Sequence, residues 1–134
     1  MLNQGRMMRT LLAVLLLLSL TAYAADAPVI ADKPVIGNPA SFKYHNVSDK
    51  DVDAVKFQVY FVDEMGDATK TDIFYTNTMN LKAGKSRSAY PASTDSANWR
   101  RQIRLANPPH NARLKFVAVK VKFTDGSEWV ADSN

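Results

Sequence analysis

The chain of 134 residues contains no cysteine, which excludes a disulfide-stapled fold, a thiolate nucleophile and a cysteine-ligated metal. Histidine is scarce too: His45 and His110 are the only two, and neither has the HxH or HExxH spacing of a metal site. No G-x-S-x-G elbow surrounds any serine. The sequence therefore predicts no catalytic residue, no metal site and no cofactor.

Long apolar runs are absent except at the start of the chain, where the pattern is typical of a secretory signal peptide. Arg6 and Arg9 precede the apolar run Leu11–Leu20, and Ala22-Tyr23-Ala24 offers a small-x-small cleavage site. The run is shorter than the ~20 residues that span a bilayer. We therefore expect cleavage after Ala24, no membrane span in the mature chain, and a periplasmic or secreted protein. Without a cysteine for lipid attachment, release is favoured over anchoring.

The remainder has the length of one domain, with an extended start. Residues 25–39 are rich in proline, which disfavours a helix or a central strand, so they predict a leader or an edge strand. Residues 40–134 carry short alternating segments. The strongest is Val52–Val62, in which Val55, Phe57, Val59 and Phe61 share one face.

About seven such strands separated by turns predict an all-β, immunoglobulin/fibronectin-like antiparallel β-sandwich, with a small barrel as the alternative. In Arg113–Phe123 the apolar parity changes, which predicts a bulge near Phe116–Val117. Residues 97–106 fit either a strand or a helix. The surrounding strands favour a strand, whereas Trp99 and Ile103 at i, i+4 would suit a helix that Pro108 ends.

Basic residues are unevenly distributed, and they supply the candidate binding patch. Residues 82–122 hold ten lysines and arginines against one acid, Asp95. Guanidinium groups suit carboxylates and phosphates, and an exposed tryptophan adds a stacking surface. The predicted patch consists of Trp99, Arg100, Arg101, Arg104, Lys120 and Lys122. The alternative is a row of outward-facing basic residues that resist strand pairing.

Three turn-and-core motifs resemble those of bacterial extracytoplasmic FxLYD-type domains and related immunoglobulin-like domains. They are Asn46-Val47-Ser48 before an apolar strand, the Asp63–Gly66 turn after it, and Leu81-Lys82-Ala83-Gly84-Lys85-Ser86. The resemblance implies an immunoglobulin-like sandwich. It carries over no catalytic or ligand residue, because none of these motifs is one.

Three functions from different classes remain open. The first is a non-catalytic exported domain that binds a protein or an anionic envelope component, but not nucleic acid, through a sheet edge or the basic patch. The second is an inhibitor of an exported hydrolase acting through the turn Asn107–Asn111. The third is a small enzyme in which Tyr44, His45 and Asp51 would have to converge.

Overall fold

The computed structural model describes residues 26–33, 35–36, 41–91 and 96–132, so the expected signal peptide, residues 1–24, lies outside the described residues. Between Pro28 and Ala131 the chain forms strands and one helix among the described residues. In chain order they are β1 (Val29–Ala31), β2 (Val35–Ile36), β3 (Phe42–Asn46), β4 (Val52–Val62), β5 (Ala68–Asn77), β6 (Ser86–Ala89), α1 (Ser96–Leu105), β7 (Arg113–Phe123) and β8 (Glu128–Val130).

The strands form two antiparallel sheets that pack together, which confirms the predicted all-β sandwich. The smaller sheet has the order β1-β3-β6. In the larger sheet β7, β4 and β5 are consecutive neighbours, while β2 and β8 both pair with β7. Strands β8, β7, β4 and β5 thus lie opposite β1, β3 and β6, as the two layers of an antiparallel sandwich.

The expected leader contributes a strand to each sheet. Val29–Ala31 pairs with β3 at the edge of the smaller sheet, and Val35–Ile36 pairs with Leu114 and Arg113 of β7 in the larger one. Val29 is buried in the core. This short proline-bearing segment therefore connects the two sheets and belongs to the sandwich.

The inward face of strand β4 is as predicted, whereas Gln58 and Val62 on its outward face are also buried. Phe57, Val59 and Phe61 are buried and pair with Ala118, Phe116 and Leu114 of β7. An aromatic cluster fills the space between the sheets: Phe42 of the smaller sheet stacks on Phe116 with ring centroids 3.9 Å apart. Phe42 also meets Phe57 edge-on, with centroids 5.0 Å apart, and such ring pairs add to the stabilisation that comes from area burial.

The bulge in β7 lies later than predicted. Lys56 pairs with Lys120 and Phe57 pairs with Ala118, so Val119 is the extra residue. The buried positions are accordingly even-numbered up to Ala118 and odd-numbered from Val121. The predicted position at Phe116–Val117 was wrong because Val117 and Val119 are only half-buried, and their apolar character does not mark the core face.

The preference for a strand at residues 97–106 was also wrong, since Ser96–Leu105 is the helix α1. Trp99 and Ile103 lie one helical turn apart, with Trp99 buried and Ile103 packed against the core. The helix is followed by Asn107 with a left-handed φ of 53°, a conformation that asparagine tolerates at a helix C-terminus. The strands on either side of this segment in the sequence therefore did not predict its conformation.

Candidate functional site

The predicted basic patch does not form one surface. Trp99 is only 5% exposed, and its ring stacks on Phe116 and meets Tyr75 edge-on, so it is a core residue and cannot stack on a ligand. The arginines Arg100, Arg101 and Arg104 are exposed on the other side of α1. The tryptophan part of the prediction was therefore wrong.

Lys120 and Lys122 lie on a different surface from the helix arginines. Both project from the outer face of the larger sheet, whereas Trp99 packs against Phe116 on its inner face. Lys120 pairs in register with Lys56, and its Nζ lies 3.6 Å from a carboxylate oxygen of Glu128. The two lysines thus belong with other outward residues of β4, β5 and β8.

These outward residues form what we call the lysine face. Strand register places five lysines on it together with Glu128 of β8: Lys56, Lys70, Lys115, Lys120 and Lys122. The exposed Asp72 lies between Lys70 and Phe74 on β5, so lysines still outnumber the acids among the described residues of this face. Apolar groups lie between the lysines. Phe74 is 45% exposed with the Lys56 Nζ 4.4 Å from its ring centroid, and Val130 is 61% exposed. The face therefore combines positive charge with accessible apolar surface.

A groove of about 670 Å³ lies between β5 and the C-terminal part of α1. Ile73, Phe74 and Leu105 contribute apolar atoms to its wall. The adjoining β5 is irregular: three residues separate Lys70 from Phe74, while only Val59 separates their partners on β4. Gln58 Nε2 donates to the Thr71 carbonyl, and the Thr71 hydroxyl donates to the Val59 carbonyl. Because bulges blunt strand edges, this part of β5 is poorly suited to strand addition.

The turn Asn107–Asn111, the candidate inhibitory loop, borders a second cleft of about 270 Å³ with Ile103, Pro108 and Pro109. The Asn111 side-chain amide donates to Glu64 at 2.9 Å, which links this turn to the β4–β5 turn. His110 within it is exposed.

The constellation required for the enzyme hypothesis is not formed by Tyr44, His45 and Asp51. Tyr44 points inward and is 1% exposed, and burial raises its pKa above the usual value. Asp51 accepts hydrogen bonds from the Ala83 backbone N–H and the Lys82 ammonium, which lower its pKa. Successive residues of a strand face opposite sides, so Tyr44 and His45 cannot meet.

His45 instead has two partners that the sequence did not suggest. Its Nδ1 lies 2.5 Å from Ser86 Oγ, and its Nε2 lies 2.6 Å from Asp32 Oδ1. We call Asp32, His45 and Ser86 the His45 cluster. The three residues are widely separated in the chain and meet only because β3 pairs with both β1 and β6. No local motif could have revealed them.

Comparisons with known proteins do not assign the chain to a family: no family model, curated protein or solved structure matches it. Among the described residues, no helix has the length and apolar character needed to cross a membrane. The same residues contain no group of three or more potential metal-ligating side chains.

Proposed function

We propose that this protein is an exported binding domain whose lysine face binds an acidic surface of a partner protein. The observation that carries the proposal is the excess of lysines over acids among the described residues on the outer face of the larger sheet. The predicted signal peptide supports an envelope or extracellular location, and the resemblance to extracytoplasmic domains is consistent with it.

Charge complementarity would supply mainly recognition and association rate. An exposed ion pair contributes only about 0.2–1 kcal/mol, so five such pairs give a few kcal/mol at most. A one-signed face also accelerates the encounter with an oppositely charged partner, and salt weakens that effect. The partner proposed is therefore acidic, and its binding should decline with ionic strength.

The apolar residues favour a protein over a simple polyanion. Phe74 and Val130 are exposed among the lysines and would be removed from water by a closely fitting partner. Burial of apolar surface contributes roughly 25 cal/mol per Å². A protein surface can offer both carboxylates and apolar contacts, whereas an anionic polysaccharide offers chiefly the former.

Two charge-reversal variants with the same net charge test the proposal. K115E/K120E/K122E alters the lysine face along one strand, and R100E/R101E/R104E alters the exposed arginines of α1. Binding of the full-length mature chain to poly-L-glutamate would be measured by calorimetry at low and moderate salt, with circular dichroism melts to confirm folding. We expect the lysine variant to lose binding at least about tenfold, while the arginine variant keeps it.

Three results would count against the proposal. Loss of binding only in the arginine variant would place the interaction on α1. Equal losses in both variants would indicate a response to net charge and no specific face. Tighter binding to polygalacturonate than to poly-L-glutamate, with dependence on the same lysines, would replace the protein partner by an anionic polysaccharide.

A further inference from the structure

The structure points to a second activity on the opposite side of the sandwich: we propose that Ser86 is a nucleophile activated by His45, and that it hydrolyses small activated carboxylic esters. Asp32 acts as the positioning residue that orients the imidazole. This inference does not depend on the lysine face, since the His45 cluster lies on the smaller sheet.

The hydrogen bonds of the His45 cluster define one relay. Because a carboxylate can only accept, the Nε2–H of His45 donates to Asp32 Oδ1 at 2.6 Å. In that neutral tautomer Nδ1 is an acceptor, and the Ser86 hydroxyl donates to it at 2.5 Å. The order carboxylate, imidazole, hydroxyl is that of a Ser-His-Asp triad, with the roles of the two ring nitrogens exchanged.

Strand register explains why the relay forms. His45 and Ser86 are directly opposed in the β3–β6 ladder. The neighbouring Asn46 N–H donates to the Lys85 carbonyl at 2.9 Å, so His45 and Ser86 form a non-hydrogen-bonded pair, the kind whose side chains approach most closely. Asp32 follows β1 and is fixed by its own N–H, which donates to the Lys43 carbonyl at 2.8 Å.

The same register directs the backbone donor of Ser86 toward a strand edge. Residues of a non-hydrogen-bonded pair direct their N–H and C=O groups away from each other. The Ser86 N–H therefore points away from β3, toward the edge of β6 that has no strand partner among the described residues. A nucleophile's own N–H is one of the donors that stabilise the oxyanion in acyl transfer.

The proposed reaction proceeds in two balanced steps. Ser86 Oγ attacks the ester carbonyl while its proton passes to His45 Nδ1, and the oxyanion accepts the Ser86 N–H. Collapse breaks the acyl–oxygen bond, and the leaving alcohol takes the proton from His45. Water then attacks the acyl-serine, transfers a proton to His45, and releases the carboxylic acid as Ser86 regains its proton.

The surroundings favour a small acyl group. His45 is 34% exposed in its side chain and Asp32 51%, so the cluster is accessible to solvent on an open sheet face. Ile30, 52% exposed, is the register partner of His45 on β1 and offers apolar contact beside the imidazole. An open site of this form offers few contacts to a long acyl chain. Acetyl esters with good leaving groups are therefore the appropriate substrates.

The experiment uses p-nitrophenyl acetate and the full mature chain. Release of p-nitrophenol would be followed with wild type, S86A, H45Q and the matched control S88A, which removes another exposed serine hydroxyl of β6. Intact mass and peptide mapping would locate any acetyl adduct. We expect the adduct on Ser86, loss of at least about 90% of the rate in S86A and H45Q, and no change in S88A.

The positioning role of Asp32 needs a measurement that a loss of stability alone would not change. We expect D32N to lower the acylation rate at least about tenfold with an unchanged melting temperature, and D32E to restore part of the rate. An acetyl group found only on lysines, or an S86A rate equal to that of wild type, would show that Ser86 is not the nucleophile. Equal rates in D32N and wild type would overturn the role of Asp32.

Discussion

Asn46 is the buried polar residue whose replacement tests the fold most sharply. It is 1% exposed, and its side chain makes four hydrogen bonds. The Nδ2 group donates to the Lys50 carbonyl at 2.7 Å and to the Leu81 carbonyl at 3.1 Å. The Oδ1 atom accepts from the Ser48 N–H and the Ser48 hydroxyl. One amide thus joins β3 to the turn after it and to Leu81.

The isosteric change N46D removes only the two donors. It keeps the acceptor toward Ser48 but places a carboxylate oxygen against two carbonyl oxygens. Each buried group left without a partner costs about 1–3 kcal/mol, so we expect the free energy of unfolding to fall by roughly 3 kcal/mol or more at neutral pH. For a domain of this size each kcal/mol corresponds to roughly 4–8 °C in melting temperature.

The N46D deficit should depend on pH with a defined sign. Burial and the facing carbonyls raise the pKa of the introduced carboxyl, because both disfavour its charge. Between its unfolded and folded pKa values the folded state binds more protons, so stability falls as pH rises through this window. Denaturant titrations at pH 4 to 8 would measure it, with S48A as a milder control, because it removes the hydroxyl that donates to Asn46 Oδ1 and contacts the Lys50 backbone but leaves both Asn46 donors paired. A loss under about 1 kcal/mol in N46D, or a deficit independent of pH, would refute this account.

Two further predictions concern the helix and the last turn. Replacing Trp99 by alanine should cost about 3–5 kcal/mol in denaturant unfolding. Phenylalanine there should cost much less, because it keeps an aromatic ring beside Tyr75 and Phe116 and loses an indole Nε1–H that is buried without a partner among the described residues; equal losses would contradict this. Asp125 accepts hydrogen bonds from the Ser127 hydroxyl and N–H and from the Lys50 ammonium, which lower its pKa to about 2. Its stabilisation should therefore be complete above the unfolded pKa of ~4 and vanish as pH falls toward 2, so wild type and D125N should differ in melting temperature at pH 6 and converge near pH 2.

The sandwich could be predicted from the sequence because its central strand β4 has a clear alternation of apolar and polar residues. The alternation in Val52–Val62 and the turn residues after β4 and β7 are local patterns, which can be seen within a few residues of sequence. The apolar positions of that alternation are buried in the structure. The helix α1 was harder. Its Trp99 and Ile103 satisfy strand and helix patterns alike, and the deciding fact is the space between Tyr75 and Phe116 that Trp99 fills. That space exists only after the sheets have packed.

The lysine face and the His45 cluster also differ in how far the sequence predicts them. Lys120 and Lys122 alternate with the buried Val121, so their outward direction was visible in the sequence. The remaining lysines of the lysine face lie on β4, on β5 and before the bulge in β7, and only the strand register places them together. The His45 cluster depends wholly on strand pairing. Its proposed nucleophile, Ser86, ends the motif Leu81–Ser86, and in the sequence that motif predicts only a turn.

The position of β7 has a consequence for the timing of folding. This strand pairs with β4, β2 and β8, yet it occupies residues 113–123 of a chain of 134. Strand β2 must therefore wait for a partner made long after it, and β4 lacks half of its ladder until then. Such non-local pairing delays folding. The larger sheet can therefore be completed only after residues 113–123 have been synthesised, so β2 and one edge of β4 leave the ribosome before their partner strand exists.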